Sequence, residues 1–201
     1  MKFLIITEQT LTLLFWVLIT FGFDTPKVAI LTFFAALIHE TGHIFALHTM
    51  NKCSYGMPRA KLSGFRIKIG ILSYKEELYS ALAGPLFNLL AGGICLFEYK
   101  NSVFMLFSLL NFMTAISNLL PIKGYDGYKA ILCALMILSK DTAKAESALR
   151  WTSFSLSSLL TLFSLFLILK LGEGYWIFFV FFSILLSEIF DSLKHTFCEK
   201  N

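Results

Sequence analysis

Charge is in short supply in this sequence. Asp, Glu, Lys and Arg make up 15% of the 201 residues, where an average soluble domain carries about one-quarter. Together with an apolar fraction of 57%, that shortage excludes both a disordered chain and an ordinary cytosolic globule. Cysteine is sparse as well. Cys53, Cys95, Cys133 and Cys198 form no CxxC pair, which argues against a disulfide framework and a cysteine-based zinc site and leaves reduced thiols as the expectation. No small-residue cleavage site follows the first apolar run, which ends in Phe21-Gly22-Phe23-Asp24, so that run reads as an uncleaved helix and not a signal peptide. Neither an internal repeat nor a low-complexity linker divides the chain, and residues 1–201 read as one domain.

What the sequence has instead is apolar length. It contains 22 Phe and has a mean hydropathy of +0.73. A helix of some twenty-two apolar residues spans about 33 Å, roughly one bilayer. Apolar runs fall at about Leu11–Phe23, Val28–Thr49, Leu78–Phe97, Val103–Leu120, Thr152–Leu169 and Tyr175–Ile189. The expected fold is therefore an all-α polytopic membrane protein of about six transmembrane helices. Between the second and third runs, Met50–Lys75 is polar and partly alternating, which predicts a short interfacial β-hairpin or sheet. Ser139–Arg150 predicts a surface helix capped by Ser139 or Asp141. Gly84-Pro85 should kink or interrupt the third run, and Pro121 should end the fourth.

The basic residues orient the chain. With six crossings and a cytoplasmic N-terminus, Lys27, Lys100 and Lys170 fall outside and every other one of the 17 Lys and Arg falls inside. This bias predicts a cytoplasmic N-terminus and C-terminus. Basic residues facing anionic headgroups need no nucleic-acid partner.

The second run carries His39-Glu40-Thr41-Gly42-His43. Residues four apart share one helical face, so both imidazoles can reach one ion while Glu40 stands beside it as a general base. A zinc ion so held keeps room for a third ligand and a water. An ionisable residue near the bilayer centre costs about 2.5–3.5 kcal/mol on insertion scales, so a polar cluster in an apolar helix points to function before chance.

Candidates for the third ligand are His48, Glu76, Glu77, Asp126, Glu188, Asp191 and His195. His48 faces away, about 140° around the helix from His43. Glu76 and Glu77 read as charges at a helix N-terminus. Glu188, Asp191 and His195 read as the hydrated inner end of the last run. Asp126 follows Pro121 and Gly124 and precedes Gly127, where a tight backbone approach is allowed. Spacing leaves it open as a ligand, a turn residue or the N-cap of a helix over Gly127–Leu138.

Three segments together carry a family resemblance. His39-Glu40-Thr41-Gly42-His43, then Ala83-Gly84-Pro85-Leu86-Phe87-Asn88, then Asn118-x-x-Pro121-x4-Asp126-Gly127 resemble the signatures of the site-2 protease family, intramembrane zinc metalloproteases. The resemblance implies one zinc ion per chain on His39, His43 and Asp126, with Glu40 as the catalytic carboxylate. It also implies a catalytic core over about 28–138 and a site reached from the cytosol. The small body looks most like the sporulation-type branch, whose members cleave membrane-tethered precursors in Gram-positive bacteria. The expected location is thus a bacterial cytoplasmic membrane. The chain departs from the family where Tyr128 stands in place of a frequent second glycine, and neither a PDZ insertion nor a nucleotide-binding tail domain is expected.

The expected partners are a membrane-tethered protein substrate, the lipid bilayer and optionally a regulatory membrane protein. Lys61–Leu72 could hold an unwound substrate by strand addition. Asn88 and Asn118 are candidate donors to the substrate backbone or an oxyanion, with interhelical bonding as the alternative for each. Gly84 and Pro85 read as packing and kink residues. Two other function classes compete: an inactive zinc-binding escort, which would need no base at Glu40, and an ion transporter, which should show an inverted repeat.

Overall fold

A computed structural model describes residues 26–55, 67–69, 72–138, 142–171 and 175–198. Among them run six helices: α1 (Pro26–Thr49), α2 (Tyr74–Leu96), α3 (Ser102–Asn118), α4 (Asp126–Leu138), α5 (Thr142–Leu171) and α6 (Tyr175–Cys198). Two three-residue strands, β1 (Cys53–Tyr55) and β2 (Ile67–Ile69), pair antiparallel with Ser54 opposite Lys68. The expected hairpin reduces to this pair among the described residues, and its connection lies outside them. The first apolar run and the Ser139 and Asp141 caps also lie outside them.

Local chemistry sets the helix ends. Pro26 opens α1 at the position where a missing N–H costs nothing. Asn51 closes it in the left-handed region (φ 54°), with Lys52 N donating to Leu47 O and Asn51 N to His48 O, a Schellman arrangement. At the start of α2, Ser73 N and Oγ both donate to the Glu76 carboxylate while Glu76 N donates back to Ser73 Oγ, a capping box. Asn101 caps α3 by accepting Val103 N–H on Oδ1. That helix stops at Asn118, three residues short of Pro121.

Two expectations change. Gly84-Pro85, expected to kink or interrupt the third run, does not interrupt it: α2 continues from Tyr74 through a buried Pro85 to Leu96. A proline removes only one ladder donor, and helices in apolar surroundings tolerate that loss. The expected surface helix over Ser139–Arg150 is not a separate element. Thr142–Arg150 contains strong helix formers and neither Gly nor Pro, so the ladder runs on without a break and α5 reaches Leu171.

Pro26–Thr49, Tyr74–Leu96 and Ala143–Leu171 are long and apolar enough to cross a membrane, and Ser102–Asn118 and Phe178–Phe190 are shorter apolar helices. Three such spans stand among the described residues where the sequence predicts about six crossings. Burial follows the pattern expected of a membrane protein. Large apolar side chains such as Phe34, Leu90 and Ile94 are exposed, while Asn88, Ser108 and Asn111 are buried.

The chain forms two compact units. The described residues of 26–42 and 84–116 make the first. There Ser108 Oγ donates to Gly92 O at 2.8 Å, and a Cβ at Gly92 would stand 3.1 Å from the Phe112 ring. A glycine at this point lets α2 and α3 approach closely. The described residues of 43–83 and 117–198 make the second, where α5 packs on both α4 and α6. Buried Ser153, Ser157, Thr161 and Ser164 line one stripe of α5 at helical spacing.

Candidate metal centre

His39 and His43 lie one turn apart on α1, so their rings leave the same face of one helix. Each ring is fixed by a partner on its Nδ1. His39 Nδ1 is 2.8 Å from Asn88 Oδ1 on α2. The orientation of Asn88 is forced, because its amide nitrogen donates to Ala35 O and Asn111 Oδ1, both at 2.9 Å. A backbone carbonyl can only accept, so the Asn88 oxygen faces the ring and His39 Nδ1 carries the hydrogen. Asn111 is held in turn, its Nδ2 donating to Phe107 O at 2.8 Å. His43 Nδ1 lies 2.7 Å from the carbonyl of Ser80, which again fixes the hydrogen on Nδ1. Both imidazoles therefore keep Nε2 for another partner.

Asp126 supplies that partner. It is the first residue of α4, where a carboxylate meets the positive end of the helix. Its placement depends on a tight turn. Gly124 has φ +99°, and a Cβ on Gly127 would lie 2.1 Å from Leu119 O and 2.7 Å from Leu120 O. Only glycine fits at 127, with the Leu119-Leu120 backbone pressed against it. Tyr125, just before the ligand, is half-buried, and burial pushes its phenol above the ordinary range.

Asp126 Oδ2 stands 3.1 Å from His43 Nε2, and Oδ1 stands 3.5 Å from Lys129 Nζ one turn along α4. One donor atom from each of His39, His43 and Asp126 lies within 4.8 Å of the other two. Donors around a tetrahedral zinc at about 2.0–2.1 Å are separated by about 3.3 Å, so the three groups would share one ion after closing by up to about 1.5 Å. With His43 Nδ1–H committed to Ser80, Nε2 and the carboxylate can approach to 3.1 Å only with positive charge between them. Two imidazoles and a carboxylate form a donor set that suits zinc.

His39 and Asp126 are buried, His43 is half-buried and Glu40 is exposed beside them. Glu40 follows His39 directly, within one turn of both rings. Of the other residues predicted for the site, Asn88 is fully buried and engaged with His39, and Asn118 is half-buried at the last position of α3. Gly84 and Pro85 are buried within α2, Pro121 is half-buried in the loop before Asp126, and Tyr128 is buried in the first turn of α4. His48 is exposed near the end of α1, and Glu76 is taken up by the capping box and by Lys52 at 3.2 Å. The side chains of Asp191 and His195 lie outside the described residues.

Glu188 corrects an expectation. It is not a hydrated helix end but a buried carboxylate that accepts from Ser153 Oγ and Ser157 Oγ on α5. Two hydroxyls one turn apart satisfy both of its oxygens, and this makes burial affordable. Asn111 and the Ser80 carbonyl were also missed. An isolated asparagine in an apolar run was the available signal for Asn111, while a backbone carbonyl leaves no trace in sequence.

No family model matches the sequence. No curated protein matches it either. Among solved structures, the site-2 protease from Methanocaldococcus jannaschii superimposes with a TM-score of 0.61 at 19% identity, covering 89% of this chain and 85% of that one. The likeness is one of fold. The chain is a helical membrane protein with the fold of that site-2 protease.

Proposed function

We propose that this chain is a zinc-dependent intramembrane endopeptidase that hydrolyses a peptide bond in or next to a transmembrane segment of a membrane-tethered protein. The observation that carries the reading is the meeting of His39, His43 and Asp126 around one point, with Glu40 on the same helix. The fold shared with a site-2 protease supports it. When bound, zinc would polarise the scissile carbonyl and acidify a water. His39 and His43 would hold the ion through Nε2, with Asp126 as third ligand. Asn88 and the Ser80 carbonyl would keep both rings in that tautomer. Glu40 takes the proton from the attacking water and delivers it to the leaving amine. Asn118, three residues before Pro121, would donate to the substrate backbone. An edge within Lys61–Leu72, the segment that includes β2, would hold an unwound substrate by strand addition.

In the same proposal the chain crosses a bacterial cytoplasmic membrane about six times, with both termini and the site opening on the cytosolic side. The distribution of Lys and Arg supports this orientation. In the same proposal the role is the processing of a membrane-tethered precursor, as in the sporulation-type branch.

The test is co-expression with membrane-tethered candidate precursors. Wild type should release a fragment that Glu40→Gln does not release, while the purified variant retains one equivalent of zinc. A zinc-loaded Glu40→Gln protein that still cut its substrate would refute the assignment.

A further inference from the structure

The buried carboxylate of Glu188 is used by no step above, and it connects to the loop that delivers Asp126. Glu188 on α6 accepts hydrogen bonds from Ser153 and Ser157 on α5. Ser153 has a single hydroxyl hydrogen, and it is committed to Glu188. Its oxygen lone pairs are thereby left for the backbone, and Lys123 N donates to Ser153 Oγ at 2.8 Å. Lys123 sits three residues before Asp126, between half-buried Pro121 and Gly124 with its φ of +99°. Within this loop Leu120 N donates to Ser117 O and Tyr125 N to Ile122 O. The bond from Lys123 to Ser153 ties it to α5.

Helical serines ordinarily turn their hydroxyl back to a carbonyl one turn earlier, as Ser158 does to Phe154 and Thr152 to Ala148. Ser153 does not, because Glu188 draws its hydrogen across to α6. We infer that Glu188 is a positioning residue for the metal centre: through Ser153 it sets the Lys123 amide, and with it the turn that aims the Asp126 carboxylate at His43. This inference rests on the metal-site reading above. It adds a third set of outer contacts to those at Asn88 and Ser80.

Cobalt substitution tests it without a substrate. The full chain in detergent micelles is loaded with Co(II), and its d–d absorption and rate of metal release to a chelator are recorded. Glu188→Ala and Ser153→Ala should both change the visible band and release cobalt about tenfold faster than wild type. Glu188→Gln should behave as wild type, since its carbonyl can still face Ser153 while its amide donates to Ser157. Ser164→Ala, which removes a buried hydroxyl elsewhere on α5, should leave band and rate unchanged and so separates positioning from general loosening. If Glu188→Ala fails to fold, Ser153→Ala, lacking one oxygen atom, carries the same test. Wild-type band and release rate in Ser153→Ala would overturn the inference while leaving the metal site standing. A wild-type protein that binds no cobalt, or binds it as well as Asp126→Ala does, would overturn the metal reading and this inference together.

Discussion

His43 of α1 and Asp126 of α4 stand face to face. Their Nε2 and Oδ2 atoms are 3.1 Å apart, the other ring nitrogen of His43 is spoken for by the Ser80 carbonyl, and no arrangement of lone pairs alone is stable at that separation. Either a proton or a metal ion satisfies the pair. Asp126→Asn keeps the shape and removes the charge, so zinc should be lost to a degree that no residue behind the ligands matches, more than about 100-fold in affinity. Equilibrium dialysis of zinc against the purified variant measures it, with the fold checked by circular dichroism. Affinity within tenfold of wild type would remove Asp126 from the ligand set.

Asn88 makes the opposite kind of prediction, in which chemistry and size disagree. Asn88→Ala frees the Nδ1–H of His39 and should weaken zinc binding by roughly 10–100-fold. Asn88→Asp retains an acceptor for His39 but turns a carboxylate oxygen toward Ala35 O and Asn111 Oδ1, where a donor stood. Burying that repulsion costs more than the lost contact recovers. Asn88→Asp should therefore lower thermal stability in detergent below that of Asn88→Ala. The reverse order would show that Asn88 does not donate to Ala35 and Asn111 as described.

The difference between these residues explains what could be read from the chain. The His39–His43 pair is legible because its spacing is the helix period itself and its surroundings are apolar. Glu40 follows from the same five letters. Asp126 is not decidable by spacing, since a turn, an N-cap and a ligand all want an aspartate before glycine, and what resolves it is the folded-back Leu119-Leu120 backbone that requires Gly127. Asn111 and Glu188 announce themselves only as polar residues in apolar runs. Their partners lie 23 and 31 residues away on other helices, at Asn88 and Ser157, and one-dimensional patterning does not carry that information. The length of α5 was misjudged for a related reason. A change from polar to apolar composition at Trp151 looks like a boundary, but the backbone ladder responds to Gly and Pro and not to polarity.

Lys129 offers a prediction of small size and definite sign. Its ammonium lies 3.5 Å from Asp126 Oδ1 and is more than one-third exposed, so the pair contributes little to stability. A positive charge this close to the ligand oxygen opposes a divalent ion. Lys129→Met should tighten zinc binding by about two- to fivefold, which corresponds to the fraction of a kcal/mol that half-exposed charges exchange. A competition titration with a chromogenic chelator resolves such a change. Weaker binding in Lys129→Met would mean that the lysine orients the carboxylate more than it repels the ion.

Gly127→Ala should be among the most damaging single-methyl changes in the chain. The added Cβ would sit 2.1 Å from Leu119 O and 2.3 Å from Leu119 C, both backbone atoms that no rotamer change can move aside. Relief requires the Leu119-Leu120 segment to retreat from α4, and that segment leads into the loop that ends at Asp126. The cost should be about 3 kcal/mol or more, above the usual range for overpacking because the obstacle is main chain. Gly92→Ala is the matched control. Its Cβ would meet the Phe112 ring at 3.1 Å, and a ring can tilt by a few tenths of an ångström. Thermal unfolding in detergent should therefore separate the two widely, with Gly127→Ala alone also losing zinc affinity. Equal melting temperatures for the two variants would show that the Leu119-Leu120 backbone does not press on Gly127, and the tight turn would no longer account for the position of Asp126.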